Sequence, residues 1–268
     1  MYVYVRTREQ MTASILPKMK PHLRQSFEAK LLQSQGIVSK WIRSHPPEKQ
    51  AIGFSGGKDS TVVLQLVMGA ASAFLPEGSF QKISVVFENT GVEYPETVKF
   101  VHDLQKQWGF SLIELKPEKT FWQCVKEAGR YPVGKSVRGK NTDKCCVELK
   151  EKPMTRAIKE YGFEVLYDGI TALESRNRMI RGSIDGTCHF AQRWNVQKVH
   201  PILYWSGPEV WQYIGMMHIP SNPVYSMGAN RCGCMVCTAH KGWEDELSKL
   251  NPKMLKKILK DMGQEQLK

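Results

Sequence analysis

"AIGFSGGKDSTVVLQLVMGA", residues 51–70, is the stretch on which the fold turns. An apolar run of strand type ends at Ser55, two glycines follow, and an apolar stretch of helical length begins. A strand–glycine–helix turn of this kind is how a backbone cradles phosphate. Glycine lets main-chain N–H groups come close to an anion, and the helix aims its unpaired N–H groups at the same place. The ordinary phosphate loop, G-x-x-x-x-G-K-S/T, is not present, because only Gly56 and Gly57 precede Lys58. In the turn as it stands, Ser55, Ser60 and Thr61 add hydroxyl donors and Lys58 adds a point charge. Asp59 either caps the helix or helps to hold Mg2+.

Outward from that turn, apolar strands alternate with helices. "KISVVFENTG" (82–91) reads as a second buried strand, and "FSLIELKP" (110–117) and "FEVLYDGIT" (163–171) as a third and a fourth strand. "YPETVKFVHDLQKQWG" (94–109) reads as an amphipathic helix with Pro95 in its first turn and Gly109 at its end. "CCVELKEKPMTRAIKEYG" (145–162) reads as a helix or helix pair broken near Pro153, and 118–144 as a looser basic segment. Such alternation predicts an α/β fold: a Rossmann-like, doubly wound parallel sheet with helices on both faces, whose ligands sit beyond the carboxyl ends of the strands. Before it, residues 1–48 form a helical lead-in. There Phe27, Leu31, Leu32, Ile37, Val38, Trp41 and Ile42 recur at helical spacing until Pro46-Pro47. The α/β domain is expected over 49–240 and a helical tail over 241–268.

Lys and Arg number 38 against 26 Asp and Glu, a formal charge of +12. This balance suits a polyanionic partner, although a solvated lysine-rich surface would account for it equally. The first twenty residues contain no uninterrupted apolar core of a signal peptide, and no run of about eighteen apolar residues occurs. A cytoplasmic protein without a membrane span is expected. The seven cysteines, two adjacent at Cys145-Cys146 and three crowded in "RCGCMVC", do not suit a secreted disulfide framework. Cys145, Cys146, Cys234 and Cys237 could hold a 4Fe-4S cluster or zinc, or be buried thiols. Adjacent cysteines do not easily face one ion, but they can ligate separate irons of a cluster. Cys232 is an extra thiol whose role is open: redox group, exchanged ligand or none. Cys124 and Cys188 are expected in the core.

"SGGKDS" resembles the PP-loop of the adenine nucleotide α-hydrolase superfamily, the ATP pyrophosphatases, in which it holds pyrophosphate as ATP is split between its α and β phosphates. Three further stretches are similar to the phosphoadenylylsulfate (PAPS) reductase branch. They are "ENTGVEYPET" (88–97), "DGITALESRNR" (168–178) and "HPILYWSGPEVWQYIGMMHIPSNPVYSMGANRCGCMVCT" (200–238). The resemblance implies that Thr90, Gly91, Gly169, Glu174, Ser175 and Arg178 join Ser55–Thr61 around the nucleotide, with Lys58, Asp59 and Arg178 acting in catalysis. Arg178 is the natural phosphate partner because its fork can bind two oxygens. Capping is the plainer role for Glu174 and Ser175. Trp205, Trp211 and Tyr213 are expected in the core, and Pro220 and Pro223 as stiff turns.

The iron–sulfur reductases of this branch carry the same C-C…C-x-x-C pattern, so the resemblance also implies a cluster on the four cysteines. Two departures set this chain apart from them. Their attacking cysteine near the C-terminus has no counterpart after Cys237, and the turn keeps Lys58 and Asp59, which many of them have lost. The combination looks more like the iron–sulfur sulfurtransferases of DNA phosphorothioation systems. It implies ATP and Mg2+ as cofactors, a cysteine desulfurase as sulfur donor and a nucleic acid acceptor. The rivals are an APS/PAPS reductase releasing sulfite from an adenylylated sulfonucleotide and a non-catalytic nucleotide-binding subunit. The oligomeric state is not set by the sequence; a homodimer is compatible with it.

Overall fold

The computed structural model describes residues 17–132 and 145–263. The first sixteen residues, on which the reading of the N-terminus partly rests, and the basic stretch 133–144 of the looser segment lie outside the described residues.

In chain order, α1 (17–23) leads into α2 (Phe27–Ser44), β1 (Gln50–Gly53) and α3 (Lys58–Phe74). Next come β2 (Ser84–Glu88), α4 (Pro95–Trp108), β3 (Ser111–Leu115) and α5 (Phe121–Ala128). Then follow α6 (Lys152–Tyr161), β4 (Val165–Tyr167), α7 (Arg176–Asp185), β5 (Cys188–Ala191) and β6 (Val196–Val199). Helices α8 (Gly207–Met216), α9 (Trp243–Leu250) and α10 (Pro252–Asp261) close the order. The six strands form a mixed sheet in the order β3-β2-β1-β4-β6-β5, the α/β nucleotide-binding type expected from the alternation.

The strand pair β5–β6 was not legible as such. Each is only four residues long, and β5 runs antiparallel to β6 at the sheet edge, joined by a turn with Asn195 at φ 52°. The looser segment also holds a helix. Thr120 and Gln123 form a reciprocal capping box that starts α5, and Gly129 in the left-handed region ends it. Around Pro153 the chain does not break: it passes from 145 through a π-turn at Val147–Glu151 into α6, with Pro153 in the first turn, where no intrahelical N–H is needed.

The chain divides into two compact units, neither continuous in sequence. One contains Met1–Gly53, Lys58–Ser84 and Phe163–Ile219, the other Phe54–Gly57, Val85–Gly162 and Pro220–Lys268. In the first, β1 pairs in parallel with β4, and β4 with β6. Gln50, wholly buried on β1, meets its polar needs fully. Its amide donates to the carbonyls of Ile42 and His45, and its oxygen accepts from the Tyr167 hydroxyl at 2.6 Å. Helix α2 packs on α3, and it buries Phe27, Lys30, Ser34, Val38 and Ile42. Leu32, expected on that face, points to solvent at 69% exposure, because the buried stripe takes the steps i, i+4 from Lys30 and Leu32 lies off it.

Trp205 and Tyr213 are core residues: the Trp205 indole donates to Ser34 Oγ at 3.0 Å, and the Tyr213 hydroxyl to Gln65. Trp211 corrects the expectation. It lies between the inward residues Val210 and Tyr213 on α8, and the helical turn leaves it 38% exposed. In the second unit Phe121, Tyr131, Leu149, Val236, Leu247 and Ile258 share one apolar cluster. The tail helices α9 and α10 are thus tied to α5 and the cysteine segment through common burial. Cys124 is buried, as expected; Cys188 is half-buried and accepts from the Trp41 indole.

The most deeply buried ion pair of the first unit ties the lead-in to the capping box of α8. Lys30 Nζ, 3% exposed, meets Glu209 at 2.7 Å, while Glu209 also accepts from the backbone N–H and hydroxyl of Ser206. Burial works to raise the Glu209 carboxyl, but the Lys30 and Ser206 hydrogen bonds outweigh it and hold the group below its usual range. A carboxylate depressed in the fold contributes stability at neutral pH that is lost as pH falls through the folded value. Lys30→Met should therefore cost about 2–3 kcal/mol at neutral pH in urea unfolding. The deficit against wild type should shrink as pH falls below about 4.5. A deficit independent of pH would show that the loss is one of packing.

Candidate functional site

The turn after β1 has no room for side chains. Gly56 sits at φ +70°, and a Cβ built there would lie 3.0 Å from Val101 Cγ2 and 3.1 Å from Thr97 Cγ2. Its carbonyl accepts from Asn222 Nδ2 at 3.0 Å, and that amide also reaches Thr97 Oγ1 at 3.0 Å and Cys232 Sγ at 3.3 Å. Ser55 Oγ accepts from the Gly57 N–H at 3.3 Å, so this hydroxyl supports the turn itself. Asn222 is 2% exposed and its own oxygen caps the short turn after Pro223. The segment Ile219–Tyr225 thus braces the glycine turn, with Pro223 setting its geometry as expected.

Cys232, whose role the sequence left open, stands on this turn. Its Sγ is 3.4 Å from the Ser55 carbonyl oxygen and 3.4 Å from Thr97 Oγ1. Burial pushes its thiol pKa up, against the Thr97 hydrogen bond that lowers it. Neither Thr97 nor Asn222 was singled out in the sequence. The only available signal was Asn222's place between two prolines, where a polar side chain serves the backbone.

On the helix side, α3 begins at Lys58, and Lys58 Nζ pairs with Asp59 at 2.6 Å, both side chains about one-fifth exposed. Ser60 and Thr61 are buried in the first turns of α3, at 6% and 2% exposure. The helix start is pressed against Gly169. A Cβ on Gly169 would lie 2.7 Å from both the Asp59 carbonyl carbon and the Ser60 nitrogen, so only glycine lets the two backbones meet.

Immediately before it, Asp168 accepts from His200 Nδ1 at 2.5 Å and lies 3.2 Å from Lys198 Nζ. Burial would raise the Asp168 carboxyl; His200 and Lys198 outweigh it and hold it well below the usual range. This buried charge cluster at the ends of β4 and β6 was missed, since its members lie thirty residues apart and only the parallel pairing joins them. Beyond it Ser175 caps α7, its hydroxyl accepting from the Arg178 N–H at 3.2 Å, and Glu174 and Arg178 pair across one helical turn with both partly exposed.

In the second unit, Thr90 and Gly91 form a turn closed by Glu93, whose carboxylate accepts from the Thr90 N–H at 2.9 Å and hydroxyl at 2.7 Å. Cys234 docks there: its Sγ is 3.4 Å from Thr90 Oγ1, and Glu93 pairs with it as an isolated β-bridge. Cys145 and Cys234 pack on the same apolar cluster, and Cys237 lies close enough to act with them on the buried Tyr131 hydroxyl, whose pKa burial raises. Cys146, the more exposed of the adjacent pair, has its thiol lowered by the hydrogen bond with Cys145 and by Lys150. Lys150 stays protonated: burial opposes its charge, but Cys234, Glu88 and Glu93 outweigh it. Of the four candidate thiols, Cys145 and Cys234 share this apolar core, and thiolates are the donor chemistry a cluster would need. Among the described residues, no three His, Cys, Asp or Glu side chains are spaced to hold a single metal ion.

Residues 49–240, with the glycine turn near one end and the cysteines near the other, match the model of the phosphoadenosine phosphosulfate reductase domain. The chain belongs to that family. A relative in Methanocaldococcus jannaschii, Uncharacterized protein MJ0066, is 30% identical over 253 residues, which is 90% of this chain and 49% of the relative. The chain spans about half the length of the first curated relatives it matches. Among solved structures, PAPS reductase from Candida auris has a TM-score of 0.55 at 18% identity, covering 87% of this chain and 98% of that one. The U34-tRNA thiolase NcsA from Methanococcus maripaludis, solved with its 4Fe-4S cluster, has a TM-score of 0.50 at 16% identity, covering 90% and 81%. At these identities the likeness shows a shared fold. PAPS reductase family membership accounts for residues 49–240; α9 and α10 lie beyond the match. No helix among the described residues is long and apolar enough to cross a membrane.

The close approach at Gly169 can be tested by substitution. Gly169→Ala should cost about 1–3 kcal/mol in urea unfolding by forcing α3 away from β4. As a control, Gly36→Ala, on α2 with open space where the Cβ would stand, should stabilise by about 0.5–1 kcal/mol. Equal effects at the two positions would remove the backbone-contact argument.

Proposed function

We propose that the protein is an ATP pyrophosphatase-type sulfur transferase that adenylates a substrate oxygen for replacement by sulfur, with nucleic acid as acceptor in phosphorothioation-like chemistry. The observation that carries this reading is the intact S-G-G-K-D-S turn. Its glycines are closely walled, Gly56 at positive φ, and Lys58 and Asp59 stand on the first turn of the helix that follows. Such a turn suits the charge of a departing diphosphate.

In the proposed reaction an acceptor oxygen attacks the α-phosphorus of ATP, the bond to the bridging oxygen breaks, and pyrophosphate leaves. A sulfur nucleophile at the oxidation level of sulfide then displaces AMP from the adenylated position. Lys58 and the first N–H groups of α3 bear the charge growing on the departing pyrophosphate. Mg2+ beside Asp59 supplies further neutralisation when bound. Arg178 exchanges Glu174 for phosphate oxygens. The chemistry is chiefly positioning and electrostatics, the usual division of labour in phosphoryl and adenylyl transfer. Cys145, Cys146, Cys234 and Cys237 are the residues that would hold a 4Fe-4S cluster, which would supply a site for sulfur. The sulfur comes from a cysteine desulfurase as a persulfide, and a thiol reductant, which leaves as a disulfide, supplies the two electrons that release it at the sulfide level.

A sulfonucleotide reductase is the second reading, favoured by the family and by Cys232, a thiol placed on the glycine turn. Product analysis separates the two. The transferase makes AMP and pyrophosphate from ATP when sulfur donor and acceptor are present, whereas the reductase releases sulfite from APS or PAPS without ATP.

Two variants complete the test. Lys58→Ala should lower pyrophosphate release by at least about a hundredfold, the scale of losing one preorganised charge contact. The absorption of anaerobically purified protein near about 400 nm should stay unchanged. Cys234→Ala should do the reverse, removing that absorption while ATP binding persists. Full pyrophosphate release by the Lys58 variant would overturn the assignment.

A further inference from the structure

The tail helix α10, outside the family match, is two-sided. Ile258 is fully buried in the cluster with Phe121 and Leu247, and Met254 and Leu255 pack beside it. Lys253, Lys256, Lys257 and Lys260 are all exposed. From Lys253 to Lys260 the helix rises about 10 Å.

Lysines on an outer helix face are usually no more than a solvated surface. Here one of them, Lys257, lines an aromatic cleft. Helix α5 presents Trp122, half-buried and held edge-on by Phe121 at 5.1 Å between ring centroids, with Lys257 Nζ 4.1 Å from the indole centroid. Past Gly129 the chain turns to Tyr131, whose hydroxyl donates to the Val236 carbonyl at 2.6 Å and anchors the turn. The cleft between these elements has a volume of about 390 Å³ and is lined by Trp122, Lys126, Arg130 and Lys257, with Asp261 as the one carboxylate of its lining.

A platform that accepts any base face, set among cations that can follow a sugar–phosphate chain, is the composition of a site for single strands. A duplex keeps its base faces stacked inside and has nothing to offer the indole. Duplex or purely anionic partners would use the lysines and leave the tryptophan idle.

We propose that the α5–α10 cleft binds single-stranded nucleic acid, one base stacking on Trp122 while Lys257 moves from the ring to a phosphate and Lys253, Lys256 and Lys260 track the strand. The contacts use base faces and phosphates, which RNA and DNA share. The inference rests on the nucleic acid acceptor proposed above. It is tested by binding without turnover, so failure of sulfur transfer and failure of strand binding are told apart.

Fluorescence anisotropy of the full chain with short labelled oligouridylate and oligothymidylate, over a salt series, measures the interaction. Trp122→Leu should weaken binding by about tenfold or more while leaving the salt slope unchanged. Lys256→Gln with Lys257→Gln and Lys260→Gln should reduce the slope of log affinity against log salt by about 0.7 per lysine. Thermal melting verifies that each variant folds; the lysine set lies on the surface and carries the test if Trp122→Leu does not fold. A preference for the ribose or the deoxyribose strand supports the proposal and names the sugar. Unchanged affinity in the lysine set, or equally tight binding of duplex or of a polyglutamate peptide, overturns it.

Discussion

Two backbone segments that touch where no side chain fits govern this molecule. Gly169, at the end of β4, lies against the main chain of Asp59 and Ser60 so closely that a single methyl would overlap it. Gly56 holds the preceding turn at a positive φ with Thr97 and Val101 closed around it. The close approach of the start of α3 to the end of β4 follows from the Gly169 contact. A helix dipole and a lysine are of use to a phosphate only when their position is set in advance, because flexible charges in water are worth little.

The polar groups around the turn serve the same end by different means. Asn222 spends its amide on Gly56, Thr97 and Cys232, all within one compact unit, so the glycine carbonyl is paired without any water. Asp168 is buried with a histidine and a lysine, and its charge is compensated in place. Thr90, Glu93 and Cys234 form a third network. Each joins residues far apart in the chain, and each meets the rule that buried polar groups must be satisfied. The cysteine-bearing segment is thereby attached to the Thr90–Gly91 turn by both backbone and side chain.

Much of the fold was legible. The strands around Ile52, Val86 and Leu166 stand where buried apolar runs stood in the sequence, while β3 around Ile113, an edge strand, has no buried residue; Pro46, Pro95 and Gly109 punctuate the helices as their backbone chemistry requires. What was not legible has physical reasons. The hairpin of β5 and β6 is too short for its alternation to be distinguished from a loop. Helix α5 was hidden by flanking basic residues, although Thr120 and Gln123 carried its capping signal. Trp211 shows the limit of composition: a tryptophan among core tryptophans turned outward because its place on the helical wheel, not its hydrophobicity, chose its side.

The local pattern of residues by itself pointed to the phosphate-type turn and the α/β class, since a strand, two glycines and a helix start leave the backbone few other uses, and the resemblance of four motifs pointed to the family. The four candidate cysteines, too, were visible as chemistry. Only the tertiary structure decided that Cys232 lies on the glycine turn, that Asp168, Lys198 and His200 share one buried cluster, and that α10 brings its lysines to Trp122. Those encounters join residues separated by tens to more than a hundred positions. They are fixed by strand pairing and core burial, forces that act across the chain and leave no mark in any short stretch of it.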